Sequence, residues 1–211
     1  MTPPIPIVVL ASGRGTGFEA IYRAIESKEL NAEIKAVISD QPQAQVLARA
    51  GKYGIKALSI PVEGRRHDHE EKILRALESF HPRFLVLAGY MRILTPLLIE
   101  AFRSERGYTR MINIHPSLLP AFPGVHSYSQ ALEYGVKVTG VTVHLVEHEV
   151  DTGPICAQEA FSIGDCKSAH EVEARGLEVE HRLYPKTLSW VLPEDFSLET
   201  RKEGRLCVRA N

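Results

Sequence analysis

From Ile5 to Tyr90, short apolar runs alternate with segments whose apolar residues recur at helical spacing. IPIVVLA (Ile5–Ala11) is continuous and apolar, as a strand covered on both faces of a parallel sheet must be. The glycine-rich SGRGTGF follows, and EAIYRAIESK then sets Ala20, Ile21, Ala24 and Ile25 on one helical face. EIKAVISD (Glu33–Asp40) predicts a second strand, QAQVLARAGKYG a helix stopped at Gly54, and KALSIP a third strand. HDHEEKILRALESF predicts a helix carried by Ile73, Leu74, Leu77 and Phe80, and RFLVLAGY (Arg83–Tyr90) another buried strand. Such alternation predicts right-handed crossovers and an α/β fold, a doubly wound, mostly parallel sheet flanked by helices.

The pattern changes after Tyr90. PLLIEAF reads as a short helix, RSERGYT as a surface loop and RMINI as a strand. MINIHPSLLPAFPGVHSYSQAL (Met111–Leu132) then places Pro116, Pro120 and Pro123 directly after an apolar run. Proline suits neither a central strand nor a helix interior, so this stretch is a rigid loop leaving a strand end, ahead of the helix SYSQALEYG. TGVTVHLV (Thr139–Val146) alternates, with Val141, Val143 and Leu145 facing one way and Thr142 and His144 the other. PICAQEAF predicts a further strand, and SAHEVEARGLEVEHRLYPKTLSWVL a long amphipathic helix kinked at Pro185. The chain is polar after Pro193, with RLCVRA as an edge strand. No strong linker interrupts it, so one domain is expected over residues 1–192, with halves near 1–108 and 109–192 and a polar tail over 193–211.

Composition narrows the function classes. The 211 residues carry a formal charge of −1, with 44% hydrophobic residues, which is ordinary for a globular chain with a sizeable core. A general nucleic-acid binder would show a basic excess, so no nucleic-acid partner is expected; a small anionic substrate in a local pocket remains open. Cys156, Cys166 and Cys207 form no CxxC pair and no even framework, which fits unpaired thiols in a reducing, cytoplasmic setting. No apolar run is long enough to span a membrane, and MTPPIPIVVLAS lacks the basic start and full apolar stretch of a signal peptide.

The candidate chemistry lies in three places. Gly13-x-Gly15-x-Gly17 sits between a strand and a helix, where backbone N–H groups and the helix dipole favour an anion; a tight turn with nothing bound has the same spelling. The spacing misses the dinucleotide pattern, because Phe18 follows Gly17, although Asp40 at the next strand end could act as a ribose-binding acid. Asn113-x-His115 at a strand end points an amide and an imidazole to one side, a pairing that steadies an oxyanion and handles protons. Asp151-x-Gly153-Pro154 is a turn, and its carboxylate either shapes that turn or meets His115 and orients it. No HExxH or Cys/His cluster appears, His144 and His148 are poorly spaced for one ion, and His67 and His69 read as a solvated helix start, so no metal is expected.

Taken together, SGRGTGFEAI, LAGYMRILTP, NIHPSLLPAFPG and TVHLVEHEVDTGPI resemble the phosphoribosylglycinamide formyltransferases, a likeness running from about Ile7 to Trp190. The resemblance implies a Rossmann-like formyltransferase fold whose N-terminal half holds a nucleotide phosphate and whose C-terminal half carries catalysis and the folate cleft. It implies a formyl donor, 10-formyltetrahydrofolate, and an acceptor amine on glycinamide ribonucleotide, joined by direct transfer in a ternary complex of de novo purine biosynthesis. Asn113, His115 and Asp151 match the catalytic trio. Gly15, Thr16 and Gly17 match the phosphate loop, and Glu180 the partner of the glycinamide end. Met91, Arg92, Ile93 and Leu94, with Glu147, His148 and Val150, match the folate-binding segments; Ser117, Gly124, His126 and His144 stand in support. The expected assembly is a monomer or homodimer.

Two positions depart from the family pattern. The glycine-rich loop ends in Gly17 where the family has asparagine, and Leu177 stands where the late helix has glutamine. Both family residues serve the phosphate, so a weaker nucleotide grip or a related acceptor is expected. Formyltetrahydrofolate deformylase, with water as acceptor, is a rival that carries an added N-terminal domain; methionyl-tRNA formyltransferase carries an added C-terminal one, for which the residues after Trp190 are too few. A noncatalytic nucleotide-binding module would have no use for Asn113, His115 and Asp151.

Overall fold

The computed structural model describes residues 2–201 and 206–211. The apolar runs form a seven-stranded sheet in the order β3-β2-β1-β4-β5-β6-β7. Its strands are β1 (Ile5–Leu10), β2 (Ala32–Ser39), β3 (Lys56–Ser59), β4 (Phe84–Leu87), β5 (Met111–His115), β6 (Val138–Leu145) and β7 (Ile155–Ser162). The pairings from β3 through β5 are parallel, while β6 and β7 run antiparallel to their neighbours. The helices are α1 (Thr16–Glu26), α2 (Gln45–Lys52), α3 (Arg66–Glu78), α4 (Pro96–Ala101), α5 (Ser127–Tyr134) and α6 (Ala169–Val191). The doubly wound architecture read from the alternation is the one observed.

β1 shows why its run is continuous rather than alternating. Ile7 and Val9 enter the layer shared with α1, α2 and α6, and Val8 and Leu10 enter the layer shared with α3 and α4. β1 pairs with both β2 and β4, so the winding reverses there and the carboxyl ends of β1 and β4 border a crevice, the usual ligand position in such sheets. α6 begins with a reciprocal cap: the Glu171 N–H donates to Ser168 Oγ at 3.2 Å, and the Lys167 N–H to the Glu171 carboxylate at 2.9 Å. The buried Tyr184 hydroxyl lies 2.8 Å from the Leu87 carbonyl and 3.0 Å from that of Ile112, which seats α6 over the ends of β4 and β5.

Several local expectations need correction. α1 starts at Thr16, so Thr16 and Gly17 belong to its first turn. By contrast, α6 is the long helix expected, Ala169–Val191 with Pro185 inside it. His69 is buried, not solvated, with Nε2 3.0 Å from the Tyr90 hydroxyl. Residues 103–109 are not simply a surface loop: Tyr108 and Thr109 are fully buried, and Arg103 and Thr109 form an isolated bridge. The segment after Pro193 is more than a polar tail with an edge strand. β8 (Phe196–Thr200) and β9 (Leu206–Ala210) pair antiparallel, and Phe196 is buried against Tyr108 with ring centroids 5.1 Å apart. Arg205, the first residue of the expected strand RLCVRA, lies outside the described residues. Among the described residues, no helix is long and apolar enough to cross a membrane.

Candidate active site

The glycine-rich turn leaves β1 beside the crevice. Gly15 has φ +80°, and a Cβ there would lie 2.6 Å from Val46 Cγ2, so both conformation and space demand glycine. Gly15 is the N-cap of α1 and provides no side-chain cap, so the first N–H groups of the helix, at Thr16 and Gly17, stand where an anion is favoured. Arg14 forms an ion pair with Glu173 of α6, and Leu177 lies on the same wall.

The second group stands at the carboxyl end of β5. Register pairs Asn113 with His144 of β6, and Asn113 Nδ2 lies 3.2 Å from His144 Nε2. His144 Nδ1 lies 2.9 Å from the Leu145 carbonyl, so the network puts the proton on Nδ1 and leaves Nε2 to accept from the Asn113 amide. Burial lowers the His144 pKa and favours this neutral form, against the Asp151 carboxylate whose Oδ1 is 3.7 Å from Nε2. His115, 3% exposed, sets Nδ1 3.3 Å from Asp151 Oδ2 and Nε2 2.9 Å from the Phe122 carbonyl. Each ring nitrogen thus faces an oxygen acceptor, an arrangement that two N–H donors satisfy. The question left open by the sequence, whether the carboxylate of the turn reaches His115, is answered by that distance.

The loops around this pair are held in unusual conformations. Asp151, Phe122 and His126 have φ of 56°, 52° and 61°, the left-handed region that residues with a Cβ seldom occupy. Asp151 Oδ2 accepts the Gly124 N–H at 2.7 Å, which ties the turn after β6 to the proline-rich loop. The Ser127 hydroxyl sits 3.2 Å from His115 Nε2. Ser117 lies behind the site, fully buried, with its hydroxyl donating to the Ala121 carbonyl.

Residues 91–94 form the opposite lip. Asp40 organises it: its carboxylate accepts from Ser12 Oγ at 2.5 Å, from Arg92 Nε at 2.6 Å and from Gln41 Nε2 at 2.9 Å. Burial works to raise the Asp40 pKa, but these donors outweigh it and the net shift is downward. Asp40 is therefore committed to this lip rather than free for a ribose. Ser12 Oγ also accepts the Met91 N–H at 2.9 Å, and the buried Glu70 carboxylate takes the Thr95 N–H at 2.6 Å and the Thr95 hydroxyl. Met91, Ile93 and Val150 are 67%, 52% and 45% exposed, an apolar rim on both sides of the opening. Glu147 is tied to Arg103 at 2.9 Å and His148 to Glu100 at 2.7 Å.

These parts line one cavity of about 750 Å³. Every residue matched to the family's site borders it except Ser117, and Asp40 does not border it either. Sequence reading missed Ser127, Tyr128, Arg14 and Glu173. For Tyr128 a signal was present: Gly176 stands inside a long helix, where glycine marks a close approach. Among the described residues, no group of three or more His, Cys, Asp or Glu side chains could hold a metal ion. Cys156 lies outside the cavity lining, and burial pushes its thiol up to about 12, which removes it as a nucleophile near neutrality.

Known proteins share both the sequence and the fold of this chain. The formyl transferase family model matches residues 5–188. A phosphoribosylglycinamide formyltransferase of Bacillus subtilis is 37% identical over 186 residues, which cover 87% of this chain and 93% of that one. The crystal structure of glycinamide ribonucleotide transformylase 1 from Symbiobacterium toebii superposes with a TM-score of 0.90 at 36% identity, covering 98% of this chain and 94% of that one. A formyltetrahydrofolate deformylase from Pseudomonas syringae has a TM-score of 0.87 at 26% identity, covering all of this chain and 67% of its own.

Proposed function

The chain belongs to the phosphoribosylglycinamide formyltransferases of the formyl transferase family, and on that premise we propose that it moves the formyl group of 10-formyltetrahydrofolate to the amine of glycinamide ribonucleotide, in purine biosynthesis. The observation that carries the reading is the convergence of Asn113, His115 and Asp151 between an anion-favouring helix start and an apolar-rimmed lip. Residues 1–108 supply the phosphate loop and one lip of the donor cleft, and 109–192 the catalytic trio, the other lip and Glu180.

The phosphate is received by backbone N–H groups of Gly15, Thr16 and Gly17. Without side-chain donors at 17 and 177 that grip is weakened, so a Michaelis constant for the nucleotide above the sub-millimolar range is expected. The donor lies between residues 91–94 and the Glu147–Asp151 turn, its pterin against the apolar rim. The amine nitrogen attacks the formyl carbon, forming the new N–C bond as the C=O π pair moves to oxygen. An N–H of Asn113 stabilises that oxyanion, and His115 assists by turning one of its ring nitrogens from its present acceptor, Asp151 or the Phe122 carbonyl, to the incoming oxygen. The C–N bond to folate then breaks, with the amine proton moving through Asp151 and water to the leaving nitrogen. Asp151 also orients the His115 ring through its Nδ1. Neither a covalent enzyme intermediate nor a metal takes part.

The direct test follows release of deformylated folate from 10-formyltetrahydrofolate by absorbance, with and without glycinamide ribonucleotide. Nucleotide-dependent release is the expected result. Release that ignores the nucleotide would make the chain a hydrolase, the activity of the deformylase structure to which it is 26% identical.

A further inference from the structure

Glu180 faces the cavity from α6, and its carboxylate has one protein partner among the described residues, Tyr128 of α5, whose hydroxyl donates to Oε1 at 2.7 Å. Tyr128 reaches it only because position 176 carries no side chain. A Cβ on Gly176 would lie 1.9 Å from the Tyr128 oxygen and 2.3 Å from Cζ. The helix therefore gives up the propensity of a larger residue in its interior to admit a phenol, and the phenol spends its one proton on the carboxylate. The ring is further fixed edge-on to Phe161, with centroids 6.4 Å apart.

We propose that Tyr128, seated in the Gly176 notch, is a positioning residue that clamps one oxygen of Glu180 so that the other is aimed at an amine or hydroxyl donor of the acceptor nucleotide. The inference rests on the formyltransferase reading and assigns the acceptor side of that site a partner outside the catalytic trio. A half-clamped carboxylate keeps one oriented acceptor and loses its rotational freedom before the substrate arrives, which lowers the cost of binding. The clamp also opposes the environment. Burial raises the Glu180 pKa and Glu173 adds to the rise, while the Tyr128 hydrogen bond and the Arg14 guanidinium hold it down. Buried Tyr184 of α6 also faces Glu180, so its charged and titratable neighbours come from α5, α6 and the glycine-rich loop.

The test compares the unaltered chain with Tyr128→Phe and Gly176→Ala under steady-state turnover, varying acceptor and donor separately across pH. Tyr128→Phe fills the notch and deletes only the donor. Its Michaelis constant for glycinamide ribonucleotide is expected to rise roughly tenfold or more, as for a lost hydrogen bond to a charged group, with the donor constant unmoved. Its acid limb in kcat/KM for the acceptor moves to higher pH, because losing the phenol lets the carboxyl pKa climb further and acceptor binding needs the ionised form. Gly176→Ala, which displaces the phenol, reproduces the acceptor defect. If the unaltered chain turns over the nucleotide and Tyr128→Phe keeps its acceptor constant and acid limb, the inference is wrong while the function stands. Absence of nucleotide-dependent turnover in the unaltered chain overturns both.

Discussion

The imidazole of His144 is held toward its neutral form. Its Nδ1 serves the Leu145 carbonyl, its Nε2 takes the Asn113 amide, and burial disfavours the charge. A neutral His144 thus fixes which end of the Asn113 amide is nitrogen, and the second N–H on that nitrogen is the one offered to the reaction. Replacing Asn113 by Ala removes that donor. By analogy with other oxyanion donors, turnover should fall by roughly 10²–10³-fold. Asp151→Asn keeps the shape of the turn but removes the charge beside His115, and a loss of at least the same order is expected. Fluorescence titration with the folate donor should find its affinity nearly unchanged in both; loss of donor binding in step with turnover would instead make these residues structural. Much of this was legible: the residue types and the two-residue spacing at a strand end point to the chemistry. The contact between Asn113 and His144 was not, because it depends on the β5–β6 register across 31 positions, which an alternating pattern alone does not fix.

At the scale of elements, the substrate pockets are held by packing and capping just behind them. Gly15 lets α1 start against Val46 of α2, and a methyl group there meets both a forbidden φ and Val46 at 2.6 Å. Gly15→Ala should cost about 1–3 kcal/mol of stability, and it should weaken nucleotide binding more than donor binding, read by thermal melts with and without each ligand. On the other lip, Glu70 of α3 caps the start of α4 through Thr95, directly after residues 91–94. Glu70→Ala removes the acceptors that hold both the Thr95 N–H and the Thr95 hydroxyl. The expected outcome is a raised Michaelis constant for the folate donor with the acceptor constant unmoved, and equal changes in both would dissociate α3 from the lip. Neither His69 nor Glu70 was legible as buried. HDHEEK carries no apolar residue before Ile73, and what draws these polar groups inward is their hydrogen bonding to Tyr90 and Thr95, which arrive from another part of the chain.

Across the whole molecule, the segments that the sequence left without a purpose meet at one residue. Glu194, between α6 and β8, pairs with Arg83 and Arg110, which precede β4 and β5, and accepts from Tyr108 of the 103–109 loop. Arg106 of that loop donates to the Phe196 carbonyl at 2.7 Å and covers both the Tyr108 and Phe196 rings. No periodicity announces this junction, because it joins a loop, a helix end and a strand start by charge. It sits at the amino ends of β4 and β5, whereas Asn113 and His115 occupy the carboxyl end of β5, so it should govern stability without touching the reaction. Burial works to raise the Glu194 pKa, but its guanidinium and phenol partners win and bring it to about 2. A folded-state pKa below the ordinary carboxylate value gives stability that is complete above that value and is lost as the pH falls toward about 2. Glu194→Gln should therefore lower stability near neutral pH by about 2 kcal/mol, the scale of broken hydrogen bonds to a charged group, and the melting temperature by roughly 4–8 °C. The deficit should shrink as the pH is lowered through about 4, where the unaltered carboxylate loses its advantage as well. Melts from neutral to acid pH, with turnover measured well below the transition, separate the alternatives. A deficit independent of pH would assign the junction's strength to packing of Phe196 and Tyr108, and a fall in turnover at low temperature would show that the amino ends of the strands are coupled to the site at the other end.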